Sequence, residues 1–220
     1  MSDQSPLPER GDERFGLIET LLWTREGGFE LLDEHLARLA ASSVTLGFAF
    51  DSSMAESALA KVVETPAQGR LRVRLVLSRD GEMETSVTPI EAMPPTTVWQ
   101  VALAQKRFCA GDPMLRHKTT RRALYDDALE EASKRHDADE VLFLNERDEI
   151  CEGARVNVFV PHGDLLLTPP LSSGLLPGTL RENLIAQGRA RETVLRLNDL
   201  PEEFYLGNSV RGLVRARRLL

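Results

Sequence analysis

The sequence predicts an α/β protein built in two halves, and three observations carry that prediction. Leu71-Arg72-Val73-Arg74-Leu75-Val76-Leu77 alternates apolar and charged residues, then meets the turn pair Asp80-Gly81 and a second extended stretch, Glu82 to Pro89. This is the pattern of a hairpin with one buried face. Segments of helical apolar spacing alternate with short β-rich runs along the rest of the chain. Between residues 106 and 117, Gly, Pro, charged and small residues mix without either period, which marks a connection. The boundaries that follow are 1–105 for an N-terminal α/β half, with 1–14 as a polar leader expected to be disordered, 106–117 for the connection, and 118–220 for the C-terminal half.

Taken in order, Phe15 to Trp23 reads as a strand, Gly27-Gly28 as a turn, and Phe29 to Leu32 as a second strand. Asp33 then caps a helix whose apolar positions are Leu36, Leu39, Ala40, Val44 and Leu46, ending near Gly47. Asp51 opens another, with Met54, Leu59 and Val62 apolar and Pro66 as its stop. After the hairpin, Val98 to Ala104 is one more strand of the N-terminal half. Beyond the connection a helix is expected from Thr120, carrying Leu124, Ala128, Leu129 and Ala132. Val141 to Leu144, Val156 to Val160 and Leu165 to Thr168 are strands, the last halted by Pro169-Pro170. A helix opening at Gly178-Thr179 runs to about Gln187 with Gly188 as its stop, and Phe204 to Leu206 is a last strand before Gly207-Asn208-Ser209.

A chain of 220 residues can bury a sizeable core. Its net charge of −7, with no aromatic-studded basic stripe, argues against an electrostatic grip on nucleic acid. A phosphorylated ligand stays open, since local arginines can outvote the total. Cys109 and Cys151 lack any paired spacing and read as inert thiols of a reducing compartment. The leader has no apolar core of a signal peptide, and no later run approaches membrane-spanning length, so a cytoplasmic protein is expected.

The chemistry centres on Lys118. Lysine occurs only at positions 61, 106, 118 and 134, whereas arginine is the habitual cation. An ammonium can lose its proton when buried and act as a nucleophile, which a guanidinium cannot, although a lysine among arginines also reads as a solvated side chain. Glu152 sits between two strand runs, where a turn carboxylate or a functional one fits. The Gly178-Thr179-Leu180 amides start a helix, where free N–H groups and the dipole favour phosphate. Asn208-Ser209 adds a polar turn and Arg38 a guanidinium from the N-terminal half.

Several stretches in order carry a likeness: Phe15 to Leu21, Glu34-His35-Leu36-Ala37-Arg38-Leu39, His117 to Arg122 with Tyr125-Asp126, Asn145-Glu146-Arg147, Glu152 with Asn157, Gly174 to Arg181, and Asn208 to Gly212. With these the chain resembles the class IV aminotransferases, the fold-type IV enzymes that use pyridoxal 5′-phosphate. Within them it is most similar to 4-amino-4-deoxychorismate lyases, particularly the form fused behind aminodeoxychorismate synthase component I. The resemblance implies a two-domain α/β fold, a smaller N-terminal α/β sandwich and a larger C-terminal mixed-sheet, barrel-like domain with the cofactor in the cleft between them.

It also implies roles. Lys118 corresponds to the lysine that forms a Schiff base with the cofactor and moves the substrate proton, and Glu152 to the carboxylate facing the pyridine nitrogen. Arg38, Asn157, Gly178, Thr179, Leu180, Asn208 and Ser209 correspond to cofactor-binding positions, most of them around its phosphate. Thr20 is a proton relay by resemblance. Arg107, Arg211 and Tyr125 are candidates for substrate contact, and no metal is implied. Departures from the family pattern are Leu180 where many members have Thr, and Ala123 where branched-chain enzymes place a tyrosine. Members also usually carry an extra first strand, so the chain looks like a lyase module cut free of its fusion. The expected activity is conversion of 4-amino-4-deoxychorismate to 4-aminobenzoate and pyruvate in folate biosynthesis, by a homodimer with a functional link to the synthase. Transamination of D-amino acids or other small amines, and an idle cofactor-binding partner subunit, are the alternatives.

Overall fold

The structure, a computed structural model, describes residues 15–63 and 69–219. The expected leader, 1–14, and Pro66 lie outside the described residues. The N-terminal part contains β1 (Leu17–Thr24), β2 (Gly28–Phe29), α1 (Leu32–Leu46), α2 (Ser52–Val62), β3 (Arg70–Leu77) and β4 (Met83–Ile90). Its four strands form an antiparallel sheet in the order β2-β1-β3-β4. Leu17 and Leu21 of β1 and Leu71, Val73, Leu75 and Leu77 of β3 share the face that packs on Leu36 and Leu39 of α1 and Ala55 and Leu59 of α2. Each such leucine, fully buried, contributes about 1.5–3 kcal/mol.

Two details differ from expectation here. The second strand is only two residues long, because Leu31 adopts a left-handed conformation (φ 54°) that turns the chain into α1 at Leu32; Asp33 lies in the first turn and caps nothing. Val44 is 85% exposed, since it falls opposite the buried stripe. Asp51 does cap α2, its carboxylate accepting from the Ser53 and Met54 amides at 2.8 and 3.1 Å.

The remainder comprises β5 (Val98–Leu103), α3 (Ala123–His136), β6 (Glu140–Leu144), β7 (Ile150–Gly153), β8 (Asn157–His162), β9 (Leu165–Thr168), α4 (Thr179–Ala186), β10 (Ala190–Glu192), β11 (Phe204–Asn208) and β12 (Gly212–Arg218). Its eight strands make one mixed, curled, half-barrel sheet, β10-β9-β8-β11-β12-β5-β6-β7. The α/β class with a small and a larger, barrel-like sheet is therefore as expected. The strand β5 is not where the sequence reading put it. It pairs parallel with β12 and β6, so sheet membership changes between Ile90 and Val98, upstream of residues 106–117. Strands β7, β10 and β12 went unread: β7 and β10 are four and three residues long, and β12 (Gly212–Arg218) is rich in arginine. No helix among the described residues is long and apolar enough to cross a membrane.

A backbone seam joins the two sheets. The Ile18 amide donates to the Lys118 carbonyl at 2.8 Å and the Thr120 amide to the Gly16 carbonyl at 2.9 Å, with Leu17 bridging Thr119. A Cβ at Gly16 would sit 2.8 Å from Val76 Cγ1 and 2.9 Å from the Leu77 carbonyl, so the close approach needs glycine. The seam also explains why α3 starts at Ala123 and not at Thr120: residues 118–120 are held extended by β1.

Candidate active site

The seam places Lys118 at the edge of a cleft of about 690 Å³ lined by both sheets. That size suits a small-molecule site. Beside it, His117 Nδ1 lies 3.0 Å from Ser42 Oγ of α1, a second tie between the halves. Among the described residues no hydrogen bond or ion pair ends on the Lys118 amine. Burial, then the charges of Arg122 and Arg38, hold its pKa down to about 7, against the opposing pull of Glu19 and Glu152. A free amine is therefore abundant at neutral pH.

Glu152 is a residue of β7, not of a turn, and is 5% exposed. Both carboxylate oxygens are engaged: Oε1 accepts from Tyr125 Oη at 3.0 Å and Oε2 from the Leu176 amide at 3.1 Å. Burial pushes its pKa up to about 7, and those two donors with Lys118 and Arg122 restrain the rise. Tyr125 is aimed by an aromatic cluster. Its ring meets Phe108 and Phe143 edge-on, each at 5.4 Å, and those two rings stack at 4.6 Å. Burial and the neighbouring Glu152 push its phenol far above its usual pKa, so it remains a donor. An amine and a carboxylate that both titrate near neutrality thus line one cleft, the kind of place where acid–base groups are tuned.

On the opposite side, Gly178 precedes α4, whose first amides have no partner inside the helix. A Cβ at Gly178 would lie 2.0 Å from Asn157 Oδ1, so glycine is what lets the helix start approach β8. Asn157 donates to the Leu176 carbonyl at 3.0 Å, and Asn208 Oδ1 accepts from the Val210 and Arg211 amides at 3.0 and 2.9 Å, shaping the turn that presents Ser209. Arg38 grips Glu19 of β1 through Nε–Oε1 at 2.9 Å and Nη2–Oε2 at 2.6 Å, and donates to the Pro177 carbonyl at 3.1 Å. Burial alone would raise the Glu19 pKa. The Arg38 charge and hydrogen bonds from His35 and Arg38 overcome that and hold it at about 2.

Of the residues singled out from sequence, Thr20, Arg38, Lys118, Tyr125, Glu152, Asn157, Gly178, Thr179, Asn208, Ser209 and Arg211 all line this cleft. Two do not. Arg107 is outside it, half-exposed and paired with Asp148 at 2.8 Å. The Leu180 side chain packs with the cluster around Phe159 and Leu184, leaving its backbone as its only means of contact. The sequence reading missed Arg72 and Arg74, which line the cleft from β3, cross-strand from Leu22 and Thr20. It also missed Glu19 and His35, both buried. A carboxylate on the inward face of β1 between Leu17 and Leu21 was the available signal for them.

Over residues 16–219 the chain matches the amino-transferase class IV family. It is 30% identical over 210 residues, 92% of this chain and 89% of the relative, to a Schizosaccharomyces pombe protein named "Putative aminodeoxychorismate lyase". Among solved structures, one titled "Putative amino-acid aminotransferase" from Mesorhizobium loti superposes with a TM-score of 0.87 at 42% identity, covering 93% of this chain and all (100%) of that one. A branched-chain aminotransferase from Thermoproteus uzoniensis shares the fold, with a TM-score of 0.81 at 20% identity over 93% of this chain and 78% of its own. A cleft between two sheets, with an unpaired lysine and a doubly tied glutamate facing it, thus sits in a chain that belongs to the class IV aminotransferase family.

Proposed function

We propose that the chain is a pyridoxal 5′-phosphate-dependent lyase that converts 4-amino-4-deoxychorismate to 4-aminobenzoate and pyruvate. The donor set fits the cofactor. It comprises an unpaired amine of lowered pKa, a buried carboxylate fixed on both oxygens, and a helix start whose approach to Asn157 a Cβ would block. In this reading Lys118 holds the cofactor, Glu152 meets the ring nitrogen, and Arg38, Asn157, the Gly178-Thr179-Leu180 amides, Asn208 and Ser209 hold the ring and phosphate. Bound there, the cofactor supplies an electron sink for the reaction.

The chain's own groups do the rest. The Lys118 amine takes the proton from the substrate carbon that bears nitrogen. The bond from ring carbon to ether oxygen breaks, enolpyruvate leaves, and its protonation gives pyruvate, with no net oxidation. Thr20, on the cleft face of β1, relays the proton to the departing group.

The observation that supports a lyase over a branched-chain enzyme is the arginine lining: Arg72, Arg74 and Arg211 face the cleft of a protein whose net charge is −7. An apolar substrate side chain would call for aliphatic walls, whereas a dicarboxylate matches guanidinium groups. Incubating the purified protein with aminodeoxychorismate should release 4-aminobenzoate and pyruvate in equal amounts. Turnover of amino-acid and keto-acid pairs without that release would move the assignment to transamination, the second reading, which the 42% identity to the Mesorhizobium loti protein favours. We also place the active form as a twofold dimer that covers an edge of the small sheet, in the cytoplasm, with a synthase as functional partner.

Two mutational outcomes follow. Arg74→Ala should raise KM for the dicarboxylate substrate by about one to two orders of magnitude, the worth of a charge-assisted contact, while Arg107→Ala changes neither KM nor kcat. Equal effects in steady-state kinetics would remove the carboxylate role from β3. Arg38→Ala should weaken cofactor binding by about 1.5–3 kcal/mol. It should also destabilise the fold by about 3–5 kcal/mol, because Glu19 loses its main partner while still buried. Glu19 has a depressed folded pKa, so the stability it contributes is full above the unfolded value of 4.5 and is lost as pH falls toward 2. The gap between wild type and variant in denaturant titrations should therefore close below pH 4.5. A gap independent of pH would mean that Glu19 is not the group involved.

A further inference from the structure

The geometry points to His35 as a positioning residue that ties the Glu19 carboxylate to the hydroxyls of Thr179 and Ser209, and thereby fixes the two hydroxyls that hold a phosphate ester in the cleft. The inference rests on the cofactor reading above and deepens it.

His35 belongs to α1 and is 1% exposed. Its Nδ1 lies 2.6 Å from Glu19 Oε2. An ionised carboxylate has only lone pairs to offer, so Nδ1 carries a proton and donates. The carboxylate cannot swing away, because Arg38 holds both of its oxygens. The ring is thus fixed in place and in tautomer, with Nε2 pointing out of the small sheet's core. There it meets Ser209 Oγ at 3.0 Å and Thr179 Oγ1 at 3.2 Å.

Those hydroxyls come from separate segments, Thr179 from the first turn of α4 and Ser209 from the turn after β11. Both are buried, yet both line the cleft, beside the unpaired amides of the α4 start. A histidine that merely completed the core would spend its second nitrogen on core groups. This one spends it on two cleft-lining hydroxyls, setting their separation and their rotors. Without the ring, the Ser209 hydroxyl keeps, among the described residues, only a long contact to the Thr20 carbonyl at 3.4 Å. Donors fixed before the ligand arrives do not have to be ordered by it, and that is where affinity for the phosphate is gained.

The test compares binding of pyridoxal 5′-phosphate, pyridoxal and inorganic phosphate by calorimetry to wild type, His35→Phe, His35→Gln, Ser209→Ala and His35→Phe/Ser209→Ala. For His35→Phe, Kd for the two phosphate ligands should rise about tenfold or more, while Kd for pyridoxal stays within about twofold. Adding Ser209→Ala to His35→Phe should cost less than about twofold more, since both changes remove one linkage. His35→Gln, whose amide can donate to Glu19 and accept from a hydroxyl, should recover much of the phosphate affinity; His35→Asn, too short to reach both sides, should show the loss should the phenylalanine variant fail to fold. A loss shared equally by pyridoxal, or full additivity in the double variant, would overturn the positioning role. Wild-type binding of inorganic phosphate with this same dependence on His35, but no binding of pyridoxal 5′-phosphate, would sink the cofactor reading and leave the positioning role standing. Absence of any phosphate binding to wild type would sink both.

Discussion

Lys118→Ala protein is expected to show no measurable turnover and to bear no covalent adduct after incubation with pyridoxal 5′-phosphate and borohydride, where wild type gains one cofactor per chain. The amine is the proposed nucleophile and the proposed base at once. Loss of a positioned acid–base group alone costs on the order of 10²–10⁴-fold, and loss of the covalent tether adds to it. The fold should survive, because the seam with β1 is made by the backbone of residues 118–120 and not by the lysine side chain. Removing the side chain should even stabilise the protein near neutrality. A lysine whose folded pKa is lowered from 10.5 to about 7 costs stability in full below pH 7, and that cost fades as pH rises toward 10.5. Mass spectrometry of the reduced protein decides the matter, and an adduct that persists in the variant would place the reactive amine elsewhere.

Glu152→Gln should keep the fold and bind the cofactor, yet lose on the order of 10²–10³-fold in kcat, the scale of a removed electrostatic stabiliser. The amide is nearly isosteric. Its carbonyl can still accept from the Leu176 amide, and Tyr125 can turn its hydroxyl to accept from the new NH₂. What the amide cannot do is carry the negative charge that keeps a facing ring nitrogen protonated. The ligand-free variant should melt higher than wild type at pH 8 and at the same temperature at pH 4. Glu152 has a raised folded pKa, so its ionisation penalises the fold progressively from pH 4.5 to about 7 and fully above that. Loss of activity with gain of stability is the signature of a group retained for function. Unchanged turnover would reduce Glu152 to a strand residue that anchors Tyr125.

The parts legible in the sequence were those set by local rules. The hairpin of β3 and β4, the Asp51 cap and the start of α4 at Thr179 each depend on residues within a few positions of one another. Lys118 stood out because the chain otherwise favours arginine. What could not be read depends on distant partners. The run Val98 to Leu103 reads as a strand, but nothing in it specifies which sheet it joins. Thr120 was expected to open a helix, and Gly16, far away in sequence, holds it extended instead. Arg72 and Arg74 occupy the polar, exposed side of a half-buried pattern, and only the folded chain reveals that this side borders a cleft. Arg107 shows the converse: an arginine in the connection is well placed by sequence, yet it lies outside the cleft, beside the exposed Asp148.

The seam between β1 and residues 118–120 also bears on how the protein comes off the ribosome. The strand β1 is made before the segment it joins, and Gly16 waits for a partner 104 positions later, Thr120. At 5–20 residues per second that is a delay of roughly 5–20 s, long compared with hairpin formation. Throughout that interval the small sheet can assemble from local pairings while the edge of β1 meant for the lysine segment stays open. The backbone that carries Lys118 is therefore fastened late, after most of the small sheet exists to receive it. A nascent chain stalled before residue 118 would hold the template for the site without its reactive group.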